Sequence, residues 1–293
     1  MITGYTLNNR KIFGTDVEQL FTTSDKFPKL MVTLYAAPAE PEKIIAMDYK
    51  ECIENLDIVS PDDISSAEAL KVAKWALDGG HTPALEAINL CFLVRGMSRV
   101  VSHQLVRHRI GTSIGQKTQR ANSEEMCGKF FDAGHYIVPP TVSALISKYP
   151  SIANMYKSYM QSAQEMYNVM IENDIPQEDA RYHLPHNMET SMSFKVIYKS
   201  LQHVASVRLC HMMMSENTEI VKMMVECVKN YSPLLGNYLK PTCATTGVCN
   251  RNENNPTDEY PKGVCDLTVN GIVPARDRSD TYNLTKFSRD NSK

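Results

Sequence analysis

Between Ala87 and Ser123 the chain carries no Asp or Glu, yet Arg95, Arg99, Arg107, Arg109, Lys117, Arg120, His103 and His108 all fall inside it. At the overall acidic content, 33 Asp and Glu among 293 residues, a stretch of this length would hold about four carboxylates. A local cationic excess with no internal counter-charge marks a place for an external anion, most simply phosphate. Glu86 and Glu124 bracket the run and the formal net charge is −2, which makes this a local anion pocket and not a basic coat. The same stretch also constrains the fold. Ile88 to Val94 is apolar and reads as a strand. Ser98 then caps a helix in which Met97, Val101 and Leu105 repeat at spacing four. In that helix Gln104, Arg107 and His108 fall at i, i+3 and i+4, on one face near its end.

With 293 residues the chain can bury a large core, and its 43% apolar and 22% charged content is that of a soluble globular protein. The near-neutral charge argues against nonspecific binding to nucleic acid or membrane surfaces. No apolar run approaches the ~20 residues of a membrane span. The first residues, MITGYTLNNRKIFGTD, lack a signal-peptide core. Eight dispersed cysteines, including Cys91, Cys210 and Cys227 in apolar stretches, suit reduced thiols in a cytoplasmic protein.

Residues 1–60, with the apolar run Leu30 to Tyr35 and the punctuation of Pro38 and Pro41, read as strands and loops. Ser65 to Leu77 reads as a helix stopped by Asp78-Gly79-Gly80. Gly111 and Gly115 suggest an irregular loop over Ile110 to Gln119. Residues 152–180 read as a polar, Met-rich helix, and Phe194 to Val228 as one long helix or two abutting ones. From Pro241 the composition shifts to Thr, Asn, Gly, Pro and Cys. The expected organisation is one helix-rich α/β domain over 1–240 and an irregular Cys-containing tail over 241–293.

No nucleophile elbow, dinucleotide fingerprint or phosphate-loop motif is present. His81, after two glycines, reads first as a loop or capping histidine. Cys243, Cys249 and Cys265 have no CxxC pair and no evident fourth ligand, so no metal site is assigned to them. The sixteen methionines read as adaptable core filling.

Ser98-Arg99, the block Ser102-His103-Gln104-Leu105-Val106-Arg107-His108-Arg109-Ile110 and Thr118-Gln119-Arg120 together resemble the signature of the flavin-dependent thymidylate synthases, the ThyX family. That signature is an Arg-His-Arg, a spacer of seven, a Ser and, two residues on, an Arg. Gly80-His81 and Glu86 upstream fit the family's Gly-His and Glu. Ala180-Arg181, Leu184-Pro185, Ser200-Leu201 and Val207-Arg208-Leu209-Cys210 follow its C-terminal block in order. The resemblance covers roughly residues 30–235.

The resemblance implies an α/β (α+β) single domain, with a small, mainly antiparallel sheet and long helices, assembled as a homotetramer with shared active sites. It implies conversion of dUMP to dTMP, with methylenetetrahydrofolate and NADPH as co-substrates and FAD as cofactor. Gln104, Arg107 and Gln116 would hold dUMP, together with Thr118, Arg120 and Arg181 from another subunit. Arg208 would act as the catalytic guanidinium at the uracil carbonyl. FAD would lie against His81, Glu86, Arg107, His108, Arg109, Ile110, Lys199 and His203. The sequence departs from the family pattern in one extra residue between Arg109 and Thr118, in Thr118 for Ser, and in Ala87 and Ala121. Ile197, Lys199 and His203 stand where Asn, Arg and Asn are frequent. The alternatives are a relative that modifies the pyrimidine C5 differently, for example by hydroxymethylation, and a nucleotide- or RNA-binding protein without catalysis.

Overall fold

The computed structural model describes residues 19–57, 60–81, 83–120, 127–210 and 213–246, with short strands at 3–7, 248–249 and 273–274. Six strands form one antiparallel sheet: β1 (Thr3–Leu7), β2 (Gln19–Thr23), β3 (Met31–Ala36), β4 (Asn89–Ser98), β5 (Thr112–Gln116) and β6 (Glu189–Ile197). Their spatial order is β1-β2-β3-β4-β6-β5. The main helices are α1 (Pro41–Cys52), α2 (Ser66–Asp78), α3 (Arg99–Leu105), α4 (Pro140–Lys148), α5 (Pro150–Glu172), α6 (Gln177–Ala180), α7 (Tyr198–Arg208) and α8 (Ser215–Tyr231). The short α9 (Pro233–Asn237) and α10 (Thr242–Thr246) follow. This is the mixed α/β domain with an antiparallel sheet that the resemblance implied.

Alternation explains the strands. Val32 and Leu34 on β3, Leu90, Phe92 and Val94 on β4, and Met192, Phe194 and Val196 on β6 are buried at every second position. They meet α8, which lies against β2 and β3 and is buried on most of its surface. A second apolar cluster gathers Phe130, Met160, Tyr167, Leu184 and Met188 where α5 meets the segment before β6.

Several boundaries differ from the sequence reading. Pro41 opens α1 instead of a loop, because a proline in the first helical turn loses no hydrogen bond. Thr112–Gln116 is an edge strand, its half-buried Thr112, Ile114 and Gln116 alternating with exposed Ser113 and Gly115. Small and polar residues hide that period. Phe194 to Ile197 belongs to β6, so the long helical stretch starts only at Tyr198 and breaks again before Ser215. The 152–180 helix ends at Glu172, with Asp174 at φ 60° closing the turn. The helix over 65–77 stands as read: Ser65 caps it, and Gly80 at φ 77° forms its left-handed end. There the Gly80 and His81 amides bond back to Leu77 and Ala76. The tail beyond 246 falls mostly outside the described residues, Cys265 included.

Candidate active site

Strands β4 and β6 pair from Asn89↔Ile197 at one end to Ser98↔Glu189 at the other, and each runs directly into a helix. Helices α3 and α7 therefore start at opposite ends of the pair. At ~1.5 Å per residue they are about 10 and 16 Å long, together close to the ~30 Å of a nine-residue strand. Folding back along the sheet, their C-terminal ends must meet, and Arg208 at the end of α7 does meet Gln104 in the last turn of α3.

The corner that launches α3 is specified locally. Gly96, at φ 67°, forms a bulge in β4 and shifts its register against β6. A Cβ there would lie 1.8 Å from the Lys29 carbonyl oxygen. Beyond the bulge Ser98 caps α3, its Oγ accepting from the Val101 amide. Glu216, buried at the start of α8, accepts the Ser98 amide and hydroxyl on its two carboxylate oxygens, both at 2.6 Å. Burial holds the Glu216 carboxyl above the usual carboxylate range, against the opposing pull of those Ser98 bonds.

Arg208 is the hub. Its Nε donates to His108 Nε2 (2.9 Å), its Nη1 to Gln104 Oε1 (3.2 Å) and its Nη2 to the Gln104 carbonyl (3.3 Å). A guanidinium beside the C-terminal carbonyls of α3 is favoured by the helix dipole. Burial, then Arg208, then His203 push the His108 imidazole down to about 4. It is neutral at pH 7. Because Nε2 accepts from Arg208, the hydrogen-bond network assigns the ring proton to Nδ1, where it is a donor. The His203 ring lies 6.2 Å from that of His108 in an edge-on arrangement.

The residues expected to hold dUMP fall into two groups. Gln104 and Arg208 form the first, with exposed Arg107 on the turn after α3. That helix ends at Leu105, so Arg107 and His108 lie on the turn and not on the helical face read from their spacing. Thr118, Arg120 and Arg181 form the second group. The Arg120 amide donates to Thr118 Oγ1, the Arg120 guanidinium pairs with Glu178 at 2.6 Å, and Arg181 Nε donates to the Glu178 carbonyl. Arg99 belongs here too: burial and then Arg181 lower its affinity for its proton. His103, one turn further along α3, stacks on His186 with centroids 5.6 Å apart. Gln116 lies beneath α3, donating to Ser102 Oγ at 2.9 Å.

Of the residues expected against FAD, Glu86 and Lys199 form an ion pair of 2.7 Å between the turn before β4 and the first turn of α7. Arg107, Arg109 and Ile110 are exposed on the segment that crosses to β5, Ile110 at 87%. Gly111 ends that segment at φ 62°, where a Cβ would lie 2.5 Å from Ile197 and Ser200. His81 pairs with Asp48 on α1 (2.9 Å) and sets its ring edge-on to Tyr49. A large exposed apolar side chain flanked by two guanidiniums, near an ammonium–carboxylate pair, suits a flat ring system with an anionic tail.

Sequence reasoning missed Glu216, Asn217 and Glu178. Asn217, fully buried, donates Nδ2 to Gln104 Oε1 at 3.0 Å. A run such as Ser215-Glu216-Asn217-Thr218-Glu219 carries no apolar signal, although all but Ser215 are buried.

The fold is an α/β domain in which two adjacent inner strands of an antiparallel sheet, β4 and β6, feed helices that converge on one guanidinium. Residues 33–234 match the Thy1 family, described as thymidylate synthase complementing protein, and the chain belongs to that family. A protein of Geobacter sulfurreducens named flavin-dependent thymidylate synthase is 28% identical over 221 residues, spanning 75% of this chain and 90% of that one. A protein of the same name from Saccharolobus solfataricus is 32% identical over 187 residues, 63% of this chain and 67% of its own. The crystal structure of a UMP/dUMP methylase, PolB from Streptomyces cacaoi, bound with 5-Br dUMP, has a TM-score of 0.53. It is 16% identical and covers 71% of this chain and 93% of that one, which shows the common fold.

Proposed function

We propose that this protein is a flavin-dependent thymidylate synthase, converting dUMP to dTMP with methylenetetrahydrofolate as one-carbon donor and NADPH as reductant of FAD. The observation that carries the reading is the Arg208 network. Residues about 100 apart in sequence are drawn onto one half-buried guanidinium. Arg208 is the catalytic residue: set against a uracil carbonyl, it stabilises negative charge as C5 becomes nucleophilic. Gln104 and Arg107 bind the nucleotide, and Thr118, Arg120 and Arg181 grip its phosphate by charge-assisted bonds. Gln116 supports this grip from beneath α3. The division of these residues into two clusters within one chain supports a homotetramer in which each site joins the first cluster of one subunit to the second of another.

Glu86, Arg107, His108, Arg109, Ile110, Lys199 and His203 would hold FAD, with His81 at the edge. When bound, FAD supplies the reducing equivalents of the reaction. Neutral His108 offers its Nδ1–H as a donor without adding charge. Residues 1–240 form the catalytic domain in this reading. No described helix is long and apolar enough to cross a membrane, in keeping with a cytoplasmic enzyme. Two measurements test the assignment: flavin absorbance of the purified protein, and dUMP turnover by Arg208→Ala. The expected results are bound flavin and abolished turnover in a variant that still folds. A colourless protein that fails to take up added FAD, or an Arg208→Ala variant of near-normal activity, would overturn it.

A further inference from the structure

Glu216 and Asn217 are adjacent in the first turn of α8, and between them they hold both ends of α3. Glu216 takes the Ser98 cap, and Asn217 reaches Gln104, six residues and about 9 Å further along. The Gln104 carboxamide has two chemically different ends that exchange by a half-turn of one bond. Asn217 Nδ2 and Arg208 Nη1 both donate to its Oε1, so reversing it would set an NH2 against two donors. Its Nε2 is thereby committed to the other side, where among the described contacts it meets the weakly accepting Met214 sulfur at 3.1 Å. Asn217 is fully buried, and its own Oδ1 has no hydrogen-bond partner among the described residues. Turning the Asn217 amide would not help, because it would oppose Oδ1 to Gln104 Oε1. A buried carboxamide left half-satisfied in this way needs a reason.

We infer that Asn217 is a positioning residue that fixes the orientation of the Gln104 carboxamide, so that Gln104 presents Nε2 as a hydrogen-bond donor to an acceptor atom of the bound nucleotide. This rests on the proposed dUMP site. Asn217 touches no ligand itself; it acts through Gln104, and its loss leaves the carboxamide orientation to the longer Arg208 Nη1 contact alone, so that the reversed orientation gains population.

The test is a double-mutant cycle on the flavin-loaded enzyme, combining Asn217→Ala with Gln104→Met and reading the dissociation constant for dUMP by calorimetry. Asn217→Ser is the second variant, retaining a small polar group in the α8 turn but falling short of Gln104, should the alanine variant not fold. Either single change at 217 is expected to weaken dUMP binding about tenfold, the worth of one hydrogen bond to a charged or polar ligand. Flavin absorbance should stay constant. In the Gln104→Met background the change at 217 should cost nothing further. Equal losses in both backgrounds would show Asn217 to be merely structural and overturn the inference. Wild-type enzyme that binds FAD but no dUMP would instead overturn the reading of the site, and the inference with it.

Discussion

Replacing Arg208 with Leu tests the electrostatics of the site independently of any substrate. In the wild type the His108 imidazole is pushed from 6.5 to about 4, first by burial, then by Arg208, then by His203. At ~1.4 kcal/mol per unit the full gap would be about 3 kcal/mol, and screening at a half-buried ring reduces this to about 2 kcal/mol. A depressed imidazole favours the neutral ring in the folded state. Its contribution to stability is therefore present above pH 6.5 and lost as the pH falls toward 4. Leucine removes the second cause and leaves the first. The His108 pKa should then rise by about one unit, a guanidinium at this range being worth roughly 1–2 kcal/mol in partly screened surroundings. It should still remain below 6.5. Imidazole NMR titration reads this directly, with His108→Gln identifying the resonance among the eight histidines. Urea unfolding at neutral and acid pH should show the wild type losing stability more steeply than His108→Gln. A wild-type His108 titrating at or above 6.5, or a pKa that does not rise in Arg208→Leu, would refute the reasoning.

Three further outcomes follow from contacts outside the hub. Glu216→Ala strips both acceptors from the Ser98 cap and should cost about 2–4 kcal/mol in urea unfolding, whereas Glu216→Gln, which keeps the shape without the buried charge, should cost less than half of that. Glu178 occupies Arg120 as a competing carboxylate. Glu178→Gln should therefore tighten dUMP binding about two- to fivefold at low salt, an effect that fades at high salt, as calorimetry at two ionic strengths would reveal. Gly96→Ala drives a Cβ into the Lys29 carbonyl at a positive φ and should destabilise by at least about 3 kcal/mol, or prevent soluble expression. An alanine variant with a normal melting curve would contradict the bulge geometry.

The parts of the fold that were legible in the sequence are those in which local chemistry and packing agree. Ser65 and Ser98 announce their helices because the hydroxyl that favours a cap is the one that makes it. Gly79-Gly80 announces a stop because Gly80 takes the left-handed turn without a Cβ penalty. The edge strand Thr112–Gln116 was not legible, since it is held by main-chain bonds to β6 and carries little apolar signal of its own. Phe194 to Ile197 was misread because a short apolar run fits either period, and its neighbour β4 decides the matter. The site shows the same division. Gln104, His108 and Arg208 could be picked out by type and order, whereas their supporters Glu216 and Asn217 could not. Their importance comes from burial against α3, which a polar pentapeptide does not advertise. Glu178 is likewise visible only once α6 is brought next to the loop bearing Arg120.

The most direct test is the mass of the nucleotide after purified protein is incubated with dUMP, FAD, NADPH and methylenetetrahydrofolate. The account predicts a product heavier than dUMP by one methylene unit, formed by flavin-loaded protein only when dUMP, NADPH and methylenetetrahydrofolate are all present, and absent with Arg208→Ala. A hydroxymethylated nucleotide, or unchanged dUMP in the presence of bound flavin, would contradict it.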